Sequence, residues 1–436
     1  MASSSVDKVP DVPSKHQFSK ISRQRIEEGV MALAECTDPG LKYTRLAFSK
    51  EDRQAREIVI RLMKESWLEV RVDSAGNIIG ERDGEQSGAP VIMAGSHIDT
   101  VREGGRFDGV AGVISAIEAV RYLQLGNLVT KHPIEVVVFT AEEPNDFGIS
   151  TVGSRAMTGK LAKQQLATLK NKEGLTLGQA IEMVGGNAKT IERAARKSND
   201  ILAYLELHIE QGAVLENMGI PIGVVTGIAG FSRAQVTVIG RTDHAGATPM
   251  NIRKDALVAA AEIILSLERI AQRKYLRDTV ATVGIIENFP NVVNVVPGKV
   301  IMKIEIRSAH QKFMDRAERA FREELQKIAA RRAVDISFTP LPSGSPVTMD
   351  GWIMGLIEES CQECGIPYHR MMSGAGHDAS HLPKITRVGM IFVPSKAGKS
   401  HCPEEWTEFE DLALGAQVLA ATLLKIDERA KEVQKE

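Results

Sequence analysis

Histidines and carboxylates stand where apolar runs stop. His97 closes 89–98 (APVIMAGSHI), and Glu142-Glu143 follows 133–140 (PIEVVVFT). His208 closes 203–209 (AYLELHI), and His401 follows 386–393 (TRVGMIFV). Asp108 opens the segment after the first run. Imidazole nitrogen and carboxylate oxygen are what hold a first-row divalent cation, and the donors must come from several elements at once. The candidate ligands are therefore His97, Asp108, one of the Glu142-Glu143 pair, His208 and His401. The other glutamate would be held beside the ion to take a proton, because two adjacent carboxylates do not both enter a core uncompensated. Asp99 is placed to accept the other ring N–H of His97, which fixes the tautomer. Each feature has a blander reading: a lone histidine is usually structural, and paired acids also suit a helix N-terminus. Those readings do not explain why four strand ends of one layer all carry ligand-type residues.

The elements that must position these groups follow from periodicity. The four runs are suited to strands of an α/β layer, covered on both faces. Segment 108–123 (DGVAGVISAIEAVRYL) puts Val110, Val113, Ile114, Ile117, Val120 and Leu123 on a helical spacing. Functional groups at strand ends are where open α/β sheets place their sites. Segment 160–199 is polar and helix-prone, and reads as a helical cover. The pattern then changes. Strands at 233–240, 279–288, 299–307 and 334–339, with helices at 256–270 and 312–332, give β-α-β-β-α-β, a split βαβ unit of ferredoxin-like kind. After Pro340 the first pattern resumes, with an amphipathic 352–365 and a terminal helix over 410–426. The expected division is residues 1–222 and 341–436 as a catalytic domain and 223–340 as an inserted one.

Bulk properties fit this reading. A chain of 436 residues exceeds one comfortable core, so two domains are expected. Fifty-four basic against 56 acidic residues leave a net charge of −2, which argues against nucleic-acid or membrane-surface binding by bulk electrostatics. No apolar run approaches the roughly 20 residues needed to cross a bilayer. Four cysteines are too few for a disulfide framework, and a reducing, cytoplasmic setting is the expectation. Residues 1–20 read as a frayed tail without the apolar core of a secretory signal.

The motifs GSHIDTVREGGRFDGVAGV, FTAEEPNDFG, GSRAMTG, LHIEQG, DHAGATPM, NVVNVVPG, SGAGHDA and MIFVPS…SHCPEE carry a family resemblance. From about residue 24 onward the chain is similar to the hydantoinase/carbamoylase-type amidohydrolases of the M20 metallopeptidase family. These include N-carbamoyl-L-amino-acid hydrolases, allantoate amidohydrolases and β-ureidopropionases. The resemblance implies two divalent ions, zinc first, with manganese, cobalt or nickel as alternatives. Asp108 would bridge them, with His97 and His208 completing one site and Glu143 and His401 the other. A histidine at 208, where the wider family has a carboxylate, implies the carbamoyl-hydrolysing branch over aminoacylases and dipeptidases. The inserted domain would mediate homodimerisation and lend residues to the partner's site. On that scheme His244 polarises the scissile carbonyl, and Asn294 and Arg307 hold the substrate carboxylate. Gln211 and the Gly374-Ala375-Gly376-His377 turn line the same pocket.

The chemistry that follows is hydrolysis of a C–N bond on a small carboxylate-bearing substrate. Two cations lower the pKa of a shared water towards about 7, and Glu142, beside the ligand Glu143, takes its proton and passes it to the departing nitrogen. An N-carbamoyl-L-amino acid is the first expectation for the substrate and allantoate the second. Arg307 suits a carboxylate by its planar fork of donors. His16, His132, His310 and His369 show no partner pattern, and His377 and His381 read as structural. Cys361-x-x-Cys364 lies on an expected helix without a second pair, so packing explains it better than a metal. A nucleotide-binding α/β protein is excluded by the absence of G-x-G-x-x-G after the first strand.

Overall fold

A computed structural model describes residues 21–277 and 279–433; the stretch read as an N-terminal tail lies outside them. Its strands, in chain order, are β1 (Glu69–Val72), β2 (Ile78–Arg82), β3 (Val91–His97), β4 (Ile134–Phe139), β5 (Ile201–Ile209), β6 (Ile222–Ile228), β7 (Gly230–Ile239) and β8 (Asp243–His244). They continue with β9 (Thr279–Phe289), β10 (Val295–Val296), β11 (Lys299–Ser308), β12 (Asp335–Gly344), β13 (Val347–Thr348), β14 (Tyr368–Ser373) and β15 (Arg387–Val393).

The large sheet runs β1-β2-β4-β3-β5-β15-β6-β13, with β14 also on β6. At its centre β4, β3, β5 and β15 are parallel neighbours, so their C-terminal ends form one edge. These strands are mostly apolar and almost wholly buried because both faces are covered. In β3, Ile92 and Ala94 enter the apolar layer that holds helices Val110–Leu125 and Phe409–Val433, while Val91 and Met93 enter the opposite one. Short helices within 152–194 cover a further apolar cluster, as the polar, helix-prone reading of that stretch anticipates.

The second sheet is antiparallel, in the order β12-β7-β11-β9. Helices Ala256–Ala271 and Gln311–Arg332 pack on one face, over a separate core that includes Val236, Ile263, Met302, Ile304 and Phe321. Element order and pairing are those of the β-α-β-β-α-β unit. Its limits differ from the expected 223–340. Residues 222–228 are β6, held between β14 and β15 in the large sheet, so the second sheet's own chain runs from Gly230 to Gly344. The misplacement has a physical cause: β6 carries two glycines in a weak apolar run and takes its identity from its neighbours rather than from its own pattern.

Candidate metal centre and catalytic site

The C-terminal edge of the four parallel strands gathers the sequence-derived ligands. His97 ends β3, His208 lies one residue before the end of β5, and the loops after β4 and β15 carry Glu142-Glu143 and His401. Asp108 is the hub. Its Oδ1 lies 3.4 Å from His97 Nε2 and 3.2 Å from His208 Nε2. Its Oδ2 lies 3.2 Å from His401 Nε2, which is 3.3 Å from Glu143 Oε1. Two groups of potential ligands, His97–Asp108–His208 and Asp108–Glu143–His401, thus share one carboxylate.

Local backbone explains the convergence. Gly109 has φ 66°, and a Cβ there would lie 2.5 Å from the His97 ring, so only glycine lets the helix start directly behind Asp108. Gly105 is equally constrained, since a Cβ would meet the Glu405 carboxyl at 1.9 Å. Ala141, Gln211 and His401 all take positive φ without being glycine, a conformation that costs energy and clusters where function demands it.

The ring orientations are set by main-chain acceptors. His97 Nδ1 lies 3.0 Å from the carbonyl of Asp99, and His208 Nδ1 lies 2.9 Å from the carbonyl of Ile209. A carbonyl only accepts, so each Nδ1 carries the hydrogen and each Nε2 turns to Asp108. The sequence reading gave the His97 ring to the Asp99 carboxylate. Instead the carboxylate Oδ1 stands 3.6 Å from that ring, and its two oxygens accept the N–H groups of Glu142 and Glu143 at 3.1 Å each. Those N–H groups lie just past β4 with no ladder partner, and an ionised carboxylate is a strong acceptor for them.

Asp99, Asp108, Glu142 and Glu143 are all buried. Isolated buried carboxylates cost several kcal/mol each, so the site requires compensating cations. The titration behaviour expresses that demand. Burial pushes Asp108 up, yet hydrogen bonds from His208, His401 and His97 take it well below the usual carboxylate range. His401 is carried up to about 11 by Asp108 and Glu143. Burial works against charge on His97 and His208, but Asp108 overrides it and both lie above ordinary imidazole. Burial holds Glu142 well above the carboxylate range. Glu142 Oε2 is 3.9 Å from His97 Nε2, beside the cluster rather than in either ligand group.

Other expected residues fall in different places. Gln211 does not face an open wall: its Nε2 donates to Asp108 Oδ2 at 2.6 Å, and its backbone N–H to Ser395 Oγ at 3.0 Å. Arg307 reaches the Gly374-Ala375-Gly376 turn, donating from Nη1 to the Gly374 carbonyl at 2.6 Å. His377 is buried, with its ring 4.5 Å from the His208 ring and Nε2 2.7 Å from Ser373 Oγ, so the turn leans on a candidate ligand. His244 ends β8 and Asn294 lies in the turn just before β10; both are exposed. His244 Nδ1 accepts from Gly246 and Ala247, and Ala245 donates to the Asn294 carbonyl. Among the described residues neither side chain hydrogen-bonds to the buried cluster. The short two-stranded pairing of β8 with β10 that carries His244 belongs to the chain segment of the second sheet.

Several supports were not read from the sequence. Glu405 accepts the N–H groups of Phe107 and Asp108, and Ser400 Oγ lies 2.8 Å from it and 3.0 Å from Asp108 Oδ2. Buried Arg45 donates to the Ile98 carbonyl behind the His97 turn. Glu206, on β5 two residues before His208, accepts from Ser96, Tyr204 and the Ala379 N–H. With its oxygens so engaged, the Glu206–His208–His377 group is hydrogen-bonded packing rather than a third ion site. An acid inside an apolar strand was the one signal that could have revealed Glu206. The cysteines are free; Cys361 is buried with its thiol pushed up to about 12, consistent with packing.

A cavity of ≈ 940 Å³ opens at the opposite, N-terminal ends of β3, β5 and β15, lined by Pro90, Ile201, Leu202, Lys384 and Arg387. It holds none of the cluster. No helix among the described residues is long and apolar enough to cross a membrane.

An α/β sheet carrying paired His/carboxylate groups at its strand ends defines the class as a hydrolase scaffold with candidate metal sites. Residues 93–425 match the model of peptidase family M20/M25/M40, and the chain belongs to that family. It is 40% identical over 407 residues to an N-carbamoyl-L-amino acid amidohydrolase of Geobacillus stearothermophilus, covering 93% of this chain and 99% of that one. It is 36% identical to an allantoate amidohydrolase of Bacillus subtilis, covering 88% and 92%. A crystal structure of an amidase of the hydantoinase/carbamoylase family from Burkholderia multivorans superposes with a TM-score of 0.88 at 32% identity, covering 93% and 98%.

Proposed function

We propose that this chain is a metal-dependent amidohydrolase that cleaves the C–N bond of an N-carbamoyl or ureido group on a small carboxylate. An N-carbamoyl-L-amino acid is the first candidate. The observation that carries the reading is the sharing of Asp108 between two ligand groups with Glu142 beside them, in a chain whose relatives are named for carbamoyl and allantoate hydrolysis.

The donor set suits two divalent ions. His97, Asp108 and His208 would hold one, and Asp108, Glu143 and His401 the other. The N/O ligands fit zinc first and manganese, cobalt or nickel as well. When bound, the pair supplies Lewis acidity to the attacking water and to the scissile carbonyl. Glu142, raised in pKa by burial, then takes the water proton at its Oε and returns it to the departing nitrogen. Asp99 holds Glu142 and Glu143 in register through their N–H groups. Arg307, with the Gly374-Ala375-Gly376 turn, would receive the substrate carboxylate.

The second-sheet segment is read as an inserted dimerisation domain. Edge strand β9 exposes Val280, Ile285 and Ile286, an apolar edge that a second copy would cover. On this reading His244 and Asn294 act in the site of the other copy, His244 at the carbonyl oxygen and Asn294 at the carboxylate. Mixing inactive Glu142→Gln and His244→Ala proteins should then restore activity by assembling one intact site, and no recovery after subunit exchange counts against it.

The test of the activity itself is a substrate panel run with each metal, reading ammonia from allantoate and carbon dioxide from N-carbamoyl amino acids. Turnover of acyl or peptidyl substrates alone would replace the proposed reaction. Turnover of allantoate alone would select the second reading.

A further inference from the structure

The open face of the second sheet carries a charged triad that the proposed reaction leaves unexplained. Along β11, Met302, Ile304 and Ile306 turn into the core under the helices, so Glu305 and Arg307 share the opposite face. Glu305 pairs across the sheet with Arg233 on β7. Its Oε2 takes the Arg233 Nε at 2.5 Å and its Oε1 takes the Arg307 Nε at 2.6 Å. Arg307 is held a second time, by its Nη1 bond of 2.6 Å to the Gly374 carbonyl. One carboxylate thus serves two guanidinium groups, leaving the triad with one net positive charge.

We propose that Glu305 is the positioning residue that presents Arg307 to the substrate carboxylate. This rests on the reading of Arg307 given above. A guanidinium has five N–H groups in a rigid plane. Pinning Nε and one Nη1 hydrogen fixes that plane and leaves further Nη hydrogens, in a set orientation, for a carboxylate. The guanidinium reaches the Gly374 carbonyl, and a Cβ on Gly374 or Gly376 would meet nothing within 4 Å, so the turn leaves open space there. The same turn is tied through Ser373 and His377 to the ring of His208. Glu305 therefore removes rotamer freedom from Arg307 before substrate arrives, and the saving falls on binding rather than on the chemical step.

A glutamine at 305 keeps one acceptor oxygen but turns an NH2 group towards the second Nε–H, so both arginines cannot be held. The experiment is steady-state kinetics of metal-loaded protein on the preferred acid and on its carboxamide counterpart. Glu305→Gln should raise KM for the acid about tenfold or more with kcat within about threefold, and should leave kcat/KM for the carboxamide within about twofold of the parent. Arg233→Gln, which keeps the Glu305–Arg307 bond, should leave KM near the parent value. Glu305→Asp keeps the charge but loses one methylene of reach, and should fall between parent and glutamine variant; it stands in if the glutamine protein does not fold. An unchanged KM in both Glu305 variants, alongside a raised KM in Arg307→Ala, overturns the positioning role alone. Equal losses on acid and carboxamide overturn it as a structural effect. If Arg307→Ala itself leaves KM unchanged, the carboxylate reading of Arg307 fails and takes this proposal with it.

Discussion

His97 and Asp99 are joined through the backbone: the Nδ1 of His97 lies 3.0 Å from the main-chain carbonyl of Asp99, while the Asp99 carboxylate accepts the N–H groups of Glu142 and Glu143. One residue thus fixes an imidazole on β3 and a carboxylate pair after β4. The two duties separate by mutation. Asp99→Asn keeps the carbonyl and the His97 tautomer, but offers one oxygen to two N–H donors. Metal affinity should fall about 10- to 100-fold, as for other groups that orient ligands. Competition against a metal indicator measures this, and an unaltered affinity would remove Asp99 from the site's support.

Glu142 sits beside the ligand groups and outside them, so its substitution should separate chemistry from metal binding. Glu142→Gln is nearly isosteric and should retain the parent's metal content by elemental analysis. Its kcat should fall by about 10²- to 10⁴-fold, the range for loss of a general base. Near-normal turnover would take Glu142 out of that role.

Both results bear on what was readable from residues alone. The four apolar runs identify β3, β4, β5 and β15 because a strand buried on two faces needs no partner to declare itself. Their ends carry His97, Glu142-Glu143, His208 and His401, so the ligand set is visible once parallel order is assumed. β2, β6 and β14 were not read, since their short or glycine-containing runs depend on neighbours for burial. Glu405 is hidden for another reason. It caps the N–H groups of Phe107 and Asp108 from 298 and 297 positions away, and no local pattern records such a bond.

Asp411 offers a stability test away from the chemistry. Burial first, then Glu408 and Glu410, push its carboxyl up to about 6. The folded state therefore holds this proton more tightly than the unfolded chain, whose value is about 3.9. The proton's contribution is full below about pH 4 and is lost as pH rises through about 6, so Asp411 opposes folding at neutral pH. The carboxyl is half open to solvent, which reduces the cost to about 1 kcal/mol. Asp411→Asn should raise Tm by about 2 °C at pH 7.5 and by nothing at pH 4. A gain that persists at pH 4 would show that charge is not its cause.

His381 titrates in the opposite sense. Burial first, then Lys160, Arg155 and Lys384, hold its imidazole down at about 3. Lys160 Nζ lies 2.9 Å from its Nδ1, which must then accept, and Nε2 lies 2.8 Å from Thr151 Oγ1. The folded state binds the ring proton more weakly than the unfolded chain, whose value is about 6.5. Its contribution is intact above that value and is lost as pH falls from about 6.5 towards 3. Acid also protonates the candidate metal ligands, so the parent's own acid melting mixes two causes. The difference between parent and His381→Gln isolates one, because the glutamine keeps a polar group there without a titrating ring. The fall in Tm between pH 7.5 and pH 5 should be smaller in His381→Gln than in the parent. Parallel Tm curves across that range would mean that the buried imidazole does not titrate with unfolding, and that its hydrogen bonds to Lys160 and Thr151 do not hold it neutral.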